Sequence, residues 1–177
     1  FSVLETVIKA VNFGLQSASA TRLVTRNALS LVNNLPVSYK SRIEAVPGVK
    51  RVAMTSFFGG TLAVKKEEQA SVSAEPSSGP DPSKFFANLG VDAEAYLEMY
   101  PEYIIAPEDR RAWLQDLRGC IIGRDLAKRF GWKVGDTIPL SGTVYPGNWN
   151  FNIRGIYHAT DARTDESFFI MARTDAL

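Results

Sequence analysis

Apolar residues at the start of the chain recur with helical spacing. Val3, Leu4, Val7, Ile8, Val11 and Leu15 fall on one face and Glu5, Lys9, Asn12 and Gln16 on the other, which predicts an amphipathic helix over 1–19. Its start has no clear N-cap, as expected of a helix that continues from something upstream. The pattern then changes. Residues 21–35, TRLVTRNALSLVNNL, are β-branched and partly alternating, and predict one or two strands. Pro36 and Ser38 open a short helix, SYKSRIEAV, with Tyr39, Ile43 and Val46 on a shared face, and Pro47-Gly48 stops it. Val49 to Phe58 follows as a strand. The result would be a β-α-β unit whose helix buries one face on a sheet, with a right-handed crossover if the strands are parallel.

Between Lys65 and Lys84 the sequence is polar and holds three prolines, too little apolar surface to offset the entropy of ordering it, and predicts an exposed loop. Phe85 to Val91 resumes as a strand. Asp92 stands where an N-cap would open the helix AEAYLEMYP, with Glu94 near its positive end. Pro107, Glu108 and Asp109 open another helix through Leu117 that would pack Trp113, Leu114 and Leu117. Gly119 to Leu140 reads as a unit: an apolar strand GCIIG, a helix capped by Asp125 or Arg124 with Leu126, Ala127 and Phe130 facing a sheet, a left-handed stop at Gly131, a turn at Gly135-Asp136, and a strand. Thr143–Asn150 reads as a turn-rich connection. From Asn150 to His158 the chain alternates, Phe151, Ile153, Gly155 and Tyr157 against Asn152, Arg154, Ile156 and His158. SFFIMA, 167–172, forms a last strand. The sequence holds no internal repeat.

Composition narrows the classes of function. Lys+Arg 20 against Asp+Glu 19 leaves a net charge of +1, without the basic footprint of a nucleic-acid binder. No basic run exceeds two residues, so a polybasic membrane patch is absent. Cys120 is the only cysteine, which excludes an intrachain disulfide and a cysteine-based zinc site. No stretch approaches the roughly 20 apolar residues of a membrane span, and the N-terminus is not an intact signal peptide. The start at Phe1 without methionine fits an excised fragment.

Candidate chemistry is sparse. Gly59-Gly60 lacks the Gly-Lys-Ser/Thr of a phosphate loop, and Gly131 to Gly135 follows a helix where a dinucleotide loop would open one; both read as turns. His158 is the only histidine, so any histidine-based acid, base or metal site must use it, with Asp161, Asp165 and Glu166 close by. That set carries one alternative function, a small soluble metal-dependent hydrolase. A solvated charged loop is the simpler reading. A Cys120–His158 thiol–imidazole pair would need a reactive thiol, whereas Cys120 sits in an apolar strand. Glu67-Glu68 and Glu108-Asp109 need no catalytic explanation. A soluble ligand-binding module is the remaining alternative.

The ordered set of motifs resembles one family. CIIGRDLAKRFGWKVGDTIPL is similar to the signature of the MacB-like periplasmic core domain of FtsX-like ABC-transporter permeases. NFNIRGIYH resembles that family's next strand through Gly155-Ile156. LPVSYKSRIEAVPGVKRVA resembles its first helix and strand through Ile43, Pro47, Gly48 and Val49, and FFANLGVDAEAYLEMYPEY its middle segment. Together these span about residues 21–172. The insert around 65–84 is longer than the family's usual connection, and family domains continue past the point corresponding to Leu177 with another helix and strand.

The resemblance implies an α+β fold with a porter-like β-α-β subdomain and a smaller, mainly β subdomain. Residues 1–20 would continue a transmembrane helix, and 21–177 would be the periplasmic core domain with a flexible loop at 65–84. It implies a non-enzymatic, extracytoplasmic part of a cell-membrane transporter, with no cofactor, no metal and no catalytic residue. The implied partners are an ATPase subunit reached through the membrane part, a periplasmic protein or substrate, and other copies of the permease, with no nucleic acid. Exposed aromatics among turn residues mark interfaces, so Phe57, Phe58, Tyr145 and Trp149 are expected to bind partners, together with the 65–84 loop.

Overall fold

The alternation from Asn150 to His158 lies within the longest strand. A computed structural model describes residues 21–28, 33–63, 85–160 and 164–173. Its strands are β1 (Thr55–Phe57), β2 (Gly60–Leu62), β3 (Asn88–Val91), β4 (Tyr103–Ile104), β5 (Gly119–Gly123), β6 (Thr137–Gly142), β7 (Gly147–Ala159) and β8 (Phe169–Ala172). Its helices are α1 (Ser38–Glu44), α2 (Ala93–Met99), α3 (Pro107–Gln115) and α4 (Arg124–Phe130). Along β7, Phe151, Ile153, Gly155 and Tyr157 are buried, while His158 is exposed and the residues between are half-buried. β7 begins at Gly147, so it takes over the end of the stretch expected to be a turn-rich connection.

The sheet runs β1-β3-β8-β5-β7-β6-β2, and β4 pairs with the far end of β7. β1 and β2 stand at opposite ends of this order, yet only Phe58 and Gly59 separate them. Six flat inter-strand steps would hold the ends about 29 Å apart, whereas the chain from Phe57 to Gly60 spans at most about 11 Å. The sheet must therefore curl until its edges meet. Strand directions agree, because the path contains four antiparallel and two parallel steps and an even number of reversals leaves β1 and β2 pointing the same way.

The seam is closed by a buried side chain. Phe58 N–H donates to the Asn88 carbonyl at 3.1 Å. Beyond it, the Asn88 side-chain amide replaces the missing backbone ladder: Gly60 N–H donates to Oδ1 at 2.8 Å, and Nδ2 donates to Gly60 O at 2.7 Å and to Phe86 O at 3.0 Å. Asn88 is fully buried and its amide is satisfied at both ends.

Curling gives the sheet an inner and an outer apolar face. The inner cluster takes residues from around the whole path, including Phe58, Cys120, Ile122, Leu140, Ile153 and Phe169, with Leu126 and Ala127 of α4 packed on it. The outer cluster holds Leu89, Val91, Ile121, Tyr157 and Ile170, covered by Tyr96 and Leu97 of α2, Tyr103 of β4 and Trp113 of α3. Adjacent residues of β5 and β8 thus serve opposite cores, as the period of two requires.

The Gly119–Leu140 unit forms as expected, with Gly131 left-handed at φ 70° and Gly135 at φ 97°. One detail is corrected. Neither Asp125 nor Arg124 caps α4; Gly123 is the N-cap, and the Glu166 carbonyl accepts from the amides of Asp125 and Leu126. Asp92 likewise makes no cap bond, because its carboxylate is taken by Lys40 Nζ at 2.8 Å and by Met54 N–H.

Other expectations change more. The described parts of 21–35 contain no strand, and the Val49–Phe58 strand shrinks to β1. The β-α-β unit expected across 21–58 does not form among the described residues. α1 forms, but it buries nothing: Tyr39 and Val46 are exposed, and an ion pair from Lys40 to Asp92 connects it to the start of α2. α3 stops at Gln115, leaving Leu114 and Leu117 exposed and Trp113 alone buried, its Nε1 donating to Gly119 O. The strand expected from Phe85 starts at Asn88. The fold is α+β; seven of its described strands lie on one continuous path, and β4 pairs with β7 off that path. The expected helix over 1–19 and the 65–84 loop lie outside the described residues.

Candidate functional site

Alternation separates the two phenylalanines that the sequence places side by side. Phe57 packs against the outer cluster, while Phe58 turns inward and is buried. At this corner the β6–β7 turn folds back onto the curl. Phe58 stacks on Tyr145 with centroids 5.8 Å apart and meets Trp149 and Phe151 edge-on at 5.9 and 5.7 Å. Trp149 Nε1 donates to Tyr145 O, Thr143 Oγ1 to Gly59 O, and Asn34 Nδ2 to Tyr145 Oη.

Three of the four residues expected to bind partners therefore meet, but Phe58 is buried and not exposed. Its ring fills the open end of the inner core, and half-buried Tyr145 and Trp149 form the wall over it. Phe57 stands apart on the other face. Solvent reaches Thr143, Pro146, Gly147 and Asn148 fully and Tyr145 and Trp149 in part.

The second feature lies where β7 ends, β8 begins and α4 starts. Arg124, Asp125, Lys128, Ala159, Thr160, Thr164 and Glu166 line an open depression of about 420 Å³. Glu166 is committed on all sides: Arg124 grips its carboxylate through Nε at 2.9 Å and Nη2 at 2.8 Å, Ala159 N–H donates to Oε1 at 2.8 Å, and its carbonyl caps α4.

His158 is exposed beside this cluster, with its backbone paired to Ile104. The acids expected to join it in a metal or hydrolytic site are otherwise engaged. Glu166 holds Arg124, and Asp165 accepts from Ser167 N–H through Oδ1 and from Tyr157 Oη through its carbonyl. Asp161 lies outside the described residues. Among the described residues no group of three His, Cys, Asp or Glu side chains is placed to hold a metal. Cys120 is fully buried, its Sγ donating to Asn152 O at 3.4 Å, and burial pushes its thiol well up. Since Gly123 pairs with Tyr157, Cys120 lies three residues further down β5, about 10 Å from the His158 end. The two do not form a dyad.

Two carboxyls sit below the ordinary carboxylate range. For Glu166 the main cause is the Arg124 hydrogen bonds, helped by Ala159 N–H. For Asp116, desolvation pushes upward but is outweighed by bonds from Asn152 Nδ2, Arg118 N–H and Arg154 Nε. The native state thus binds fewer protons than the unfolded chain as these groups titrate, and stability present above pH about 4.5 is lost as the pH falls through the folded values. Urea midpoints measured between about pH 3 and 6 should show this slope, and Glu166→Gln should flatten it. An unchanged slope in the variant would contradict the assignment.

Two residues that order the fold, Asn88 and Arg22, carry little signal in the sequence. Asn88 left one weak trace, a lone amide inside the apolar run ANLGV. Arg22 left none.

No family model matches the chain, and no curated protein matches it. Among solved structures, a domain provisionally described as belonging to a permease protein of Porphyromonas gingivalis superposes with a TM-score of 0.44 at 18% identity. The match covers 75% of this chain and 54% of that one, so this chain corresponds to about half of that structure. A superposition this loose fixes neither topology nor activity. No helix among the described residues is long and apolar enough to cross a membrane.

Proposed function

We propose that this chain is the extracytoplasmic domain of an ABC-transporter permease subunit of the MacB-like type. It would be a non-enzymatic module that couples an ATP-driven conformational change to the handling of a substrate or partner outside the cell membrane. In this reading residues 1–20 continue a transmembrane helix, the domain has the two-part build of its class, and it binds no cofactor. Its partners are an ATPase subunit reached through the membrane part, a periplasmic protein or substrate, and further copies of the permease.

The observation that supports the reading is spatial. Two of the segments through which the resemblance runs fall on α1 and on β3 with α2, while CIIGRDLAKRFGWKVGDTIPL and NFNIRGIYH occupy β5, α4, β6 and the middle of β7, which pack as neighbours around the inner core. Their glycines have physical duties there. Gly123 faces the Glu166 carbonyl, Gly155 lies under the Asp109 Cβ, and Gly131 takes the left-handed turn. A cooperating unit of this kind explains why such a motif would persist without any chemistry.

The intact gene decides the matter. Transmembrane helices on both sides of these residues and a co-encoded ATPase are expected; a complete reading frame with neither would remove the proposal. For partner contacts, the Tyr145–Trp149 turn remains the best-placed segment of those expected. Trp149→Leu should impair transport in the full-length protein while the domain stays folded, and unimpaired transport would count against this surface.

A further inference from the structure

The outer cluster draws on β1, β3, β8, β5 and the far end of β7, and on no residue of β6 or β2. That leaves the outer side of β2, β6 and the near half of β7 to solvent. On β6, Ile138 and Leu140 serve the inner core, so Thr137, Pro139 and Ser141 point outward. On β7, Trp149 and Phe151 point inward, so Asn148, Asn150 and Asn152 point outward. The registers set these side chains in rungs: Thr137 beside Asn152, Pro139 beside Asn150, and Ser141 between Asn148 and Thr61 of β2. No rung carries a charge. The Asp116–Arg154 pair stands at the Asn152 end and marks the border of the patch.

Folding does not account for this choice of residues. Asparagine and proline are depleted in strands, so the ladder gives up strand propensity. Asn152 does have a structural duty, since its Nδ2 donates to Asp116 Oδ2 and its Oδ1 accepts from Thr137 Oγ1, both at 3.0 Å. Asn148 and Asn150 have none. Both are exposed, and neither makes a side-chain hydrogen bond among the described residues.

We propose that this face binds a neutral glycan. An ionic partner meets no counter-charge on the rungs, and a hydrocarbon meets no apolar surface beyond the Pro139 ring. Area argues against a second protein. Strands about 4.8 Å apart, followed from Thr137 to Ser141 at about 3.4 Å per residue, outline a patch about 10 by 14 Å. That is about 140 Å² in plan, against roughly 800 Å² per partner in a stable protein interface. It matches the footprint of a short oligosaccharide. Sugar hydroxyls donate and accept at once, as asparagine amides and threonine or serine hydroxyls do, so each polar rung can exchange paired hydrogen bonds. The Pro139 ring, between two polar rungs, offers C–H surface to the apolar face of a pyranose. The bonds of Asn152 fix one end of the ladder before a ligand arrives, which lowers the ordering cost. Sugar binding needs only this face, and the gene context tests the transporter reading separately.

NMR titration of the isotope-labelled full chain with two neutral probes, chitotriose and maltotriose, tests the assignment. At least one should give saturable shifts centred on the Asn148 and Asn150 side-chain amides and the backbone from Thr137 to Ser141, with a Kd of about 1–10 mM, as suits a flat and exposed site. Asn150→Ala removes an exposed amide without a folded contact, so it should weaken binding about fivefold or more while the thermal transition stays in place. Adding Asn148→Ala should abolish saturation. No saturable shift with either trisaccharide up to about 50 mM would overturn the proposal. So would shifts centred away from this face, or tighter binding of a sulfated trisaccharide than of the neutral one. Concentration-dependent shifts of the face without sugar would also overturn it, by assigning the face to a second copy of the chain.

Discussion

Asn88→Leu should come close to unfolding the domain. Leucine keeps the branched shape, but its methyl groups cannot approach the backbone as closely as the amide does, so lost hydrogen bonds are joined by overpacking. The Gly60 N–H, the Gly60 carbonyl and the Phe86 carbonyl would all lose their side-chain partner inside a seam that water does not reach. An orphaned buried polar group costs about 1–3 kcal/mol, so the three together cost about 3–9 kcal/mol. A domain of this size has about 5–15 kcal/mol in all. Urea unfolding followed by the fluorescence of buried Trp113 would register the change as a large drop in midpoint. A loss below about 1 kcal/mol would mean that the amide does not close the curl.

Asn88→Asp sharpens the test through pH. A carboxylate could still accept from Gly60 N–H, but it would face the Gly60 and Phe86 carbonyls with no donor of its own. Burial would raise its folded pKa above the unfolded value. The variant should therefore be poor at neutral pH and recover as the pH falls and the carboxyl gains a proton, the opposite slope to that of Glu166 and Asp116.

The contrast between Asn88 and β7 shows what a single sequence can disclose. Alternation along Asn150–His158 is a local property, and it marked Phe151, Ile153, Gly155 and Tyr157 as the buried set, but a register shift against β5 puts Phe151 and Ile153 in the inner core and Tyr157 in the outer one. The strand–helix–strand order from Gly119 was also legible, because its helix stop and turn depend on glycine conformations that are local too. Asn88 lies in a strand whose two faces are both buried, so period could not show which way it points. Its partner, Gly60, comes from the strand that closes the curl. Phe58 failed for the same reason. An aromatic beside Gly59-Gly60 looks like an exposed turn residue until Tyr145 and Trp149 arrive from a distant hairpin.

Charge placement was harder still to foresee. Asp92 stands where a cap belongs, but Lys40 and Met54 reach it first from an element that the sequence treated as part of a separate β-α-β unit. Glu166 looked like one acid of a loop beside His158, while in the fold Arg124 and the α4 amides consume it. Both outcomes rest on pairings between distant segments, which no periodicity encodes.

Gly123 brings local and distant causes together, and its substitution separates them. Its backbone, φ −72° and ψ 152°, is one that any residue adopts, so conformation does not demand glycine there. A Cβ at this position would lie 1.8 Å from the Glu166 carbonyl oxygen, 2.2 Å from its carbon and 2.8 Å from its Cα. All three are backbone atoms and cannot rotate away. Gly123→Ala must therefore push the 164–168 segment off α4. With it go the Glu166 carbonyl's bonds from Asp125 and Leu126, the Gly123 N–H to Phe168 O bond at 3.0 Å, and the register of the Arg124–Glu166 pair. At about 1 kcal/mol for each of the three lost bonds plus about 1–3 kcal/mol of overpacking strain, the cost should be about 4–6 kcal/mol. Gly131→Ala is the matched control: nothing lies within 4 Å of its Cβ, and only the left-handed φ of 70° penalises it, by about 1 kcal/mol. Equal losses in the two variants would refute the steric account. A second readout is independent of the total. Because the displaced Glu166 would no longer be held below its ordinary range, Gly123→Ala should also flatten the acid slope of stability, and Gly131→Ala should leave that slope intact.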